Sequence, residues 1–279
     1  MLGIIDVGGG TRDIYGAGVF DYLLDEGIKA DYCIGVSAGS INCAAYLGGH
    51  RGKNYRFYMN YAEKRDMGSV SSILHTGAYL DLDGAYDKLE ENVGETPIDI
   101  DGVLESNVEF KVVATNASTG KPVYFRRSDM EKYGRGVFLS SCCTPVAARP
   151  YVMDGTEYFD GAISDPIPLL KALRDGCDKI ILILTKPTYM SSDVAIDEGA
   201  SNLMLPRHLN TGRALRARDI KYKQMLRYAR DLWLEGKVLV IAPDGIGKMR
   251  VLTKDMSEME LLYLRGYYDA REIKEFIHR

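Results

Sequence analysis

The sequence has 279 residues, 46% of them hydrophobic and 27% charged, with a formal net charge of −4. That length suits one α/β domain with excursions, and the composition excludes a disordered or low-complexity chain. The acidic balance excludes the global basic field by which many proteins hold nucleic acid, so no nucleic-acid partner is expected.

Five cysteines stand at positions 33, 43, 142, 143 and 177. Their odd number and the lack of C-x-x-C spacing argue against a disulfide framework or structural zinc, and no metal or other cofactor is implied. The opening Met1-Leu-Gly-Ile-Ile-Asp6 lacks the basic stretch and long apolar core of a signal peptide. No run approaches the ~20 apolar residues that span a bilayer. A cytoplasmic protein is expected, with any membrane contact peripheral at the inner membrane face.

In chain order, Leu2–Asp6 reads as a strand followed by three glycines. A helix follows over Ile14–Glu26, with Val19, Phe20, Leu23 and Leu24 on one stripe and Gly27 as its stop. Tyr32–Gly35 reads as a second strand and Ala38–Leu47 as a helix of small residues. Lys64–Asp83, rich in Gly and Ser, reads as a surface excursion or a loop beside the site. Glu109–Thr115 and Pro122–Phe125 flank the turn Asn116–Gly120 and predict a hairpin. Asp154-Gly155 predicts a second hairpin, between Tyr151-Val-Met153 and Glu157-Tyr-Phe159. Pro166–Arg174 and Thr211–Leu234 read as helices. Lys179–Thr185 and Lys237–Ala242 are continuous apolar runs of the kind covered on both faces.

This alternation predicts an α/β fold, a three-layer α/β/α sandwich with a mostly parallel central sheet and an added antiparallel hairpin. A single domain over residues 1–279 is expected, with a motif-bearing core at about 2–186 and an extension at about 187–279.

Gly35-Val36-Ser37-Ala38-Gly39 is a G-x-S-x-G segment between a predicted strand and a predicted helix. In that context it predicts a nucleophile elbow, with Gly35 and Gly39 giving room for a sharp turn and the helix N-terminus facing the reacting centre. The other reading is an ordinary glycine-bounded turn with Ser37 as a helix cap.

Upstream, Asp6-Val7-Gly8-Gly9-Gly10-Thr11-Arg12 exposes backbone N–H groups and suits an anion, either a phosphate or a tetrahedral oxyanion. Neither the P-loop pattern nor a complete dinucleotide fingerprint is present, which favours the oxyanion. Arg12 is open to two roles, anchoring the loop or pairing with a substrate phosphate. A serine nucleophile needs a base. His50, His75, His208 and His278 all lack a glycine-rich strand-end context. Asp160, in Tyr158-Phe-Asp-Gly-Ala162, stands out among the carboxylates. Asp165, before Pro166, reads as a helix cap.

Together these residues resemble the patatin-like phospholipase family, whose pattern is a D-G-G-G-x-R-G loop, a G-x-S-x-G elbow and a later D-G-A or D-G-G segment. Here the three read Asp6–Asp13, Gly35–Gly39 and Asp160-Gly161-Ala162, in the family's order. The stretches Ile14–Phe20, Ser141-Cys-Cys-Thr-Pro145 and Asp165-Pro-Ile-Pro168 resemble bacterial members. The resemblance covers about residues 2–186.

It implies a lipid acyl hydrolase with Ser37 as nucleophile and Asp160 as base, without histidine. Gly8, Gly9 and Gly10 would form the oxyanion hole, and a lipid or other acyl ester would be the substrate. One departure stands out: the glycine after the loop arginine is Asp13 here. It either distorts the loop or caps the first helix and pairs with Arg12. The distorting case keeps open a non-catalytic binding module that uses the loop for an anionic ligand.

The helix at Thr211–Leu234 carries Arg213, Arg216, Arg218, Lys221, Lys223, Arg227 and Arg230. Packing on the sheet with a solvated basic face is the favoured reading. A basic amphipathic helix on an anionic membrane is the other, and it predicts weak, salt-sensitive vesicle binding.

Overall fold

The computed structural model describes residues 1–63, 98–145, 147–190 and 194–278. The excursion expected over Lys64–Asp83 lies outside these residues.

Strand β1 (Leu2–Asp6) leads through a short 3-10 turn into α1 (Ile14–Asp25). Next come β2 (Tyr32–Val36), α2 (Ala38–Leu47), α3 (Lys53–Glu63) and α4 (Ile100–Glu105). The hairpin strands β3 (Glu109–Asn116) and β4 (Pro122–Phe125) precede α5 (Arg127–Tyr133) and α6 (Gly136–Cys142). A second hairpin follows, β5 (Tyr151–Met153) and β6 (Thr156–Asp160). The chain continues through α7 (Leu169–Arg174), β7 (Lys179–Ile183), α8 (Val194–Met204), α9 (Leu209–Leu234) and β8 (Val238–Ile241). It closes with α10 (Met256–Asp269) and α11 (Glu272–His278).

One sheet joins all eight strands, in the order β5-β6-β3-β2-β1-β7-β8, with β4 also on β3. The five strands from β3 to β8 along this path are mutually parallel. Side chains alternate across it. Ile4, Cys33, Val112, Ile181 and Leu239 pack on one face with α1, α2, α6 and α10. Ile5, Ile34, Val113, Leu182 and Val238 pack on the other with α7 and α9. Three layers result, as the alternation of apolar strands and helices predicts. The inner residues of β7 are fully buried on both faces, each worth roughly 1.5–3 kcal/mol.

The register of β3 bears directly on the site. Val112 and Val113 pair with Gly35 and Val36 of β2 on one edge and with Phe125 and Tyr124 of β4 on the other. Ala114 and Thr115 still pair with β4, and they also pair with Asp160 and Phe159 of β6. A strand has only two edges, so β6 occupies the edge that β2 vacates after Val36.

Two local expectations change. The helix expected from Pro166 begins at Leu169, with Pro168 at its cap, because a residue before proline avoids helical backbone. Asp165 does not cap it; its carboxylate accepts the Tyr124 hydroxyl at 2.6 Å. Helix α9 packs on the sheet through Tyr222, Ala229 and Leu232, while Trp233 is 54% exposed. No described helix is long and apolar enough to cross a membrane.

Candidate active site

Ser37 sits between β2 and α2 with φ 54 and ψ −132, a conformation that side-chain-bearing residues rarely adopt. Its neighbours make that turn possible. A Cβ on Gly35 would collide with the Ser40 backbone, and one on Gly39 with the backbone of Asp6. Ser37 makes no side-chain cap bond, so the helix-cap reading does not describe it. Instead its hydroxyl donates to Asp160 Oδ2 at 2.8 Å.

Asp160 ends β6 and is 6% exposed. Its Oδ1 accepts the Ala162 N–H at 2.9 Å, and Oδ2 also accepts the Thr144 hydroxyl at 3.2 Å. The Asp160 N–H donates to Cys143 O, and the Thr115 hydroxyl donates to Asp160 O. Burial raises the Asp160 pKa above its ordinary 3.8, and the Ala162, Ser37 and Thr144 donors hold it back. A carboxylate so placed is a better base than one in water.

Arg12 and the glycine loop lie beside the elbow. Gly8, Gly9 and Gly10 have φ of 69, 145 and 60. The Thr185 hydroxyl donates to Gly8 O at 2.6 Å, and the Thr11 N–H donates to Val251 O at 2.9 Å. The expectation that all three glycines donate to an oxyanion needs revision at Gly8. Its N–H is committed to the buried Asp6 Oδ1 at 3.0 Å. Gly9 and Gly10 keep N–H groups without a partner among the described residues.

Asp13 departs from both expectations. Its backbone is ordinary (φ −77, ψ 4), so no glycine is required there. It makes no side-chain cap bond and no ion pair with Arg12. It is fully buried against Asp6, and burial first, then the Asp6 charge, pushes its pKa well above 3.8. Burial and the Asp6 charge thus both disfavour a negative charge on Asp13 beside the loop. Among the described residues Arg12 itself bonds only Gly9 O, through Nε at 3.4 Å.

The histidines stand elsewhere. His50 meets Asp99 at 2.6 Å, His208 faces Glu157 at 3.8 Å, and His278 ends the last helix. His75 lies outside the described residues. Among the described residues no group of three His, Cys, Asp or Glu side chains is arranged to hold a metal.

Residues 7–173, more than half of the chain, match the model of the family described as patatin-like phospholipase. The chain belongs to the patatin-like phospholipase family. Residues 209–278 match a second model, a domain of unknown function (DUF6363).

Among curated relatives, the uncharacterised Escherichia coli protein YjjU is 28% identical over 194 residues, 68% of this chain and 53% of that protein. The uncharacterised NTE family protein Rv1063c of Mycobacterium tuberculosis is 22% identical over 175 residues, 63% of this chain and 46% of that one. The chain thus spans about half the length of the curated relatives it matches. Among solved structures, VipD from Legionella pneumophila aligns over 98% of this chain and 66% of its own, at 13% identity and a TM-score of 0.52, a likeness of fold.

Within this patatin-like site, two contributors escaped the sequence reading. Ser141 accepts the Ser37 N–H at 2.7 Å and donates to Val113 O at 2.6 Å, so one hydroxyl ties the elbow to β3. Thr144 reaches Asp160. Both lie in the Ser141–Pro145 segment, but their bonds connect residues far apart in the chain, and no local pattern announces them.

Proposed function

We propose that this chain is a serine acyl hydrolase that cleaves carboxylic esters of lipids through a Ser37–Asp160 dyad. The observation that carries this reading is the 2.8 Å hydrogen bond from Ser37 Oγ to Asp160 Oδ2, made by a serine held at positive φ. Family membership supports lipid esters as the substrate class.

Ser37 Oγ attacks the ester carbonyl carbon as Asp160 takes its proton. The carbonyl π electrons move to oxygen, and the Gly9 and Gly10 N–H groups receive the oxyanion. Collapse breaks the bond to the alcohol, which takes the proton from Asp160. A water molecule then attacks the acyl-serine and loses its proton to Asp160. The second collapse frees the fatty acid and returns that proton to Ser37.

Covalent labelling by a fluorophosphonate, read by intact mass and peptide mapping, tests the proposal. One adduct on Ser37, absent in Ser37→Ala, is expected, because the probe reacts only with an activated serine beside a working oxyanion hole. No adduct on the folded chain rejects the hydrolase and leaves the non-catalytic binding module.

A further inference from the structure

Beyond the dyad, four side chains gather where the glycine loop, the end of β7 and α9 meet. Arg12 leaves the loop, and no carboxylate comes within ion-pair distance of it among the described residues. Lys186 follows Thr185, the residue that holds Gly8 O. Its ammonium stands 4.1 Å from the centroid of the Tyr222 ring and has no carboxylate partner of its own among the described residues. Tyr222, on α9, is 5% exposed, and its hydroxyl is buried without a hydrogen-bond partner among the described residues. Arg218, one turn earlier on α9, donates to the buried Asp197, with Nε to Oδ2 at 2.9 Å.

The cluster abuts the reacting centre. A Cβ on Gly9 would lie 3.4 Å from Arg12 Nη2, and one on Gly8 would lie 3.1 Å from Ser37 Cβ. The Arg218 charge reaches Asp160.

As it stands, this arrangement is unfavourable. Buried polar groups are ordinarily paired, and crowded cations repel one another at low dielectric. Burial, and then the Arg12 and Arg218 charges, push the Lys186 ammonium down to about 8. Asp197 is engaged by Arg218, and Asp219 by Lys223 at 2.7 Å. Among the described residues Arg12 and Lys186 therefore have no ion-pair partner of their own, and a phenol donor beside them is unused. An anion with several acceptor oxygens would answer all three. A carboxylate is satisfied by one arginine fork. Phosphate offers acceptors to a guanidinium, an ammonium and a hydroxyl at once.

We infer that Arg12, Lys186, Arg218 and Tyr222 form an anion subsite that takes the phosphate group of an ester substrate whose acyl carbonyl lies at Ser37. The inference rests on the hydrolase reading above. It gives the segment matching a domain of unknown function a task, since Arg218 and Tyr222 belong to it while Arg12 belongs to the patatin-like segment.

The test has two arms. In the first, inorganic phosphate and glycerol 3-phosphate are titrated calorimetrically into the full chain carrying Ser37→Ala, which cannot turn over. Saturable binding is expected, weakened roughly tenfold by Lys186→Met and measurably by Tyr222→Phe. Both substitutions keep the side chain's bulk, and thermal unfolding checks that each variant is folded.

In the second arm, the active chain is given a 1-acylglycerol 3-phosphate and the 1-acylglycerol of the same acyl length. The phosphate ester is expected to have a kcat/KM roughly tenfold higher, a ratio that falls toward one in Lys186→Met. Absence of saturable phosphate binding, or binding indifferent to both substitutions, overturns the subsite. If neutral esters are still hydrolysed in that case, the hydrolase reading stands without it. Binding of free phosphate with no preference between the two esters overturns the assignment to a substrate-borne phosphate. Binding sensitive to both substitutions, in a chain that neither labels nor hydrolyses, supports the subsite and removes the hydrolase reading instead.

Discussion

Asp13 meets Asp6 carboxyl to carboxyl in the buried space behind the glycine loop, where its oxygens make no well-formed hydrogen bond among the described residues and the Asn42 amide is a neighbouring donor. Asp6 is better supplied, by the Gly8 N–H and by Asn42 Nδ2 at 3.2 Å. Two carboxylates cannot both ionise at such a site, so the proton stays on Asp13. Burial pushes Asp6 up to about 6, and burial together with the Asp6 charge pushes Asp13 well above its ordinary 3.8.

The sign of the consequence follows from linkage. Both folded-state pKa values lie above the ordinary 3.8, so the folded chain holds more protons than the unfolded one. The stability involved is fully present below 3.8 and is lost as pH rises through the folded values. Asp13→Asn removes one titration and is expected to flatten the fall of Tm as pH rises above the ordinary carboxylate range. Thermal unfolding across that rise checks it; parallel curves for the two proteins would show that Asp13 carries no proton.

Asp160 titrates in the same direction with a different readout. As the proposed base it works only when ionised, and its pKa is raised by burial. The acid limb of kcat/KM is therefore expected above the ordinary carboxylate range. Thr144 donates to the ionised form, so Thr144→Val removes a stabiliser of the charge and moves the limb further up. Activity should fall more at acid pH than at alkaline pH in that variant. A loss equal at every pH would mean that Thr144 acts otherwise.

Removing either member of the proposed dyad should leave a folded, inactive protein. Ser37→Ala and Asp160→Asn are each expected to lower kcat on an acyl ester by about 10³-fold or more. The double variant should be little worse than either single one, because the two groups act as a unit. Steady-state kinetics on the three proteins decides this. Additive losses would separate the roles of Ser37 and Asp160.

Ser141 offers a test of elbow geometry. Ser141→Ala strips the acceptor from the part-buried Ser37 N–H and the donor from the buried Val113 O, which costs about 1–3 kcal/mol. With that tie gone, Ser37 is freer to leave its positive φ. A lower Tm and a reduced kcat with KM nearly unchanged are expected. An unchanged kcat would show that Gly35 and Gly39 alone hold the turn.

Much of this architecture was legible in the sequence because it is written in short range. Ile180–Ile183 is apolar throughout because both faces are covered, and Gly35 is demanded by a contact within its own turn, with Ser40. Ser37 and Asp160 announced themselves by glycine-flanked contexts at strand ends. What stayed hidden depends on distant partners. Asp13 is one: in isolation it reads as an N-cap, and only the folded chain sets it against Asp6. Lys186 and Tyr222 are another case. A lysine after an apolar strand and a tyrosine on a basic helix are unremarkable until the sheet brings them to one place. The helices after Pro187 had no motif to expose their packing, though Tyr263 and Tyr15 fasten α10 to α1 through Asp21 and Asp269.

The shared edge of β3 bears on how the distance between Ser37 and Asp160 is kept. Val113 is the last residue of β3 to face β2, and Ala114 is the first to face β6. Nucleophile and base are thus spaced by one peptide unit of a third strand, a rigid ruler whose graduation is about 3.3 Å. One extra residue between Val113 and Ala114 would slide the carboxylate a full graduation away and break the β3–β4 register, while leaving both motifs intact. Such a chain would still match the family pattern letter for letter at Gly35–Gly39 and Asp160–Ala162, yet its serine and aspartate would no longer meet.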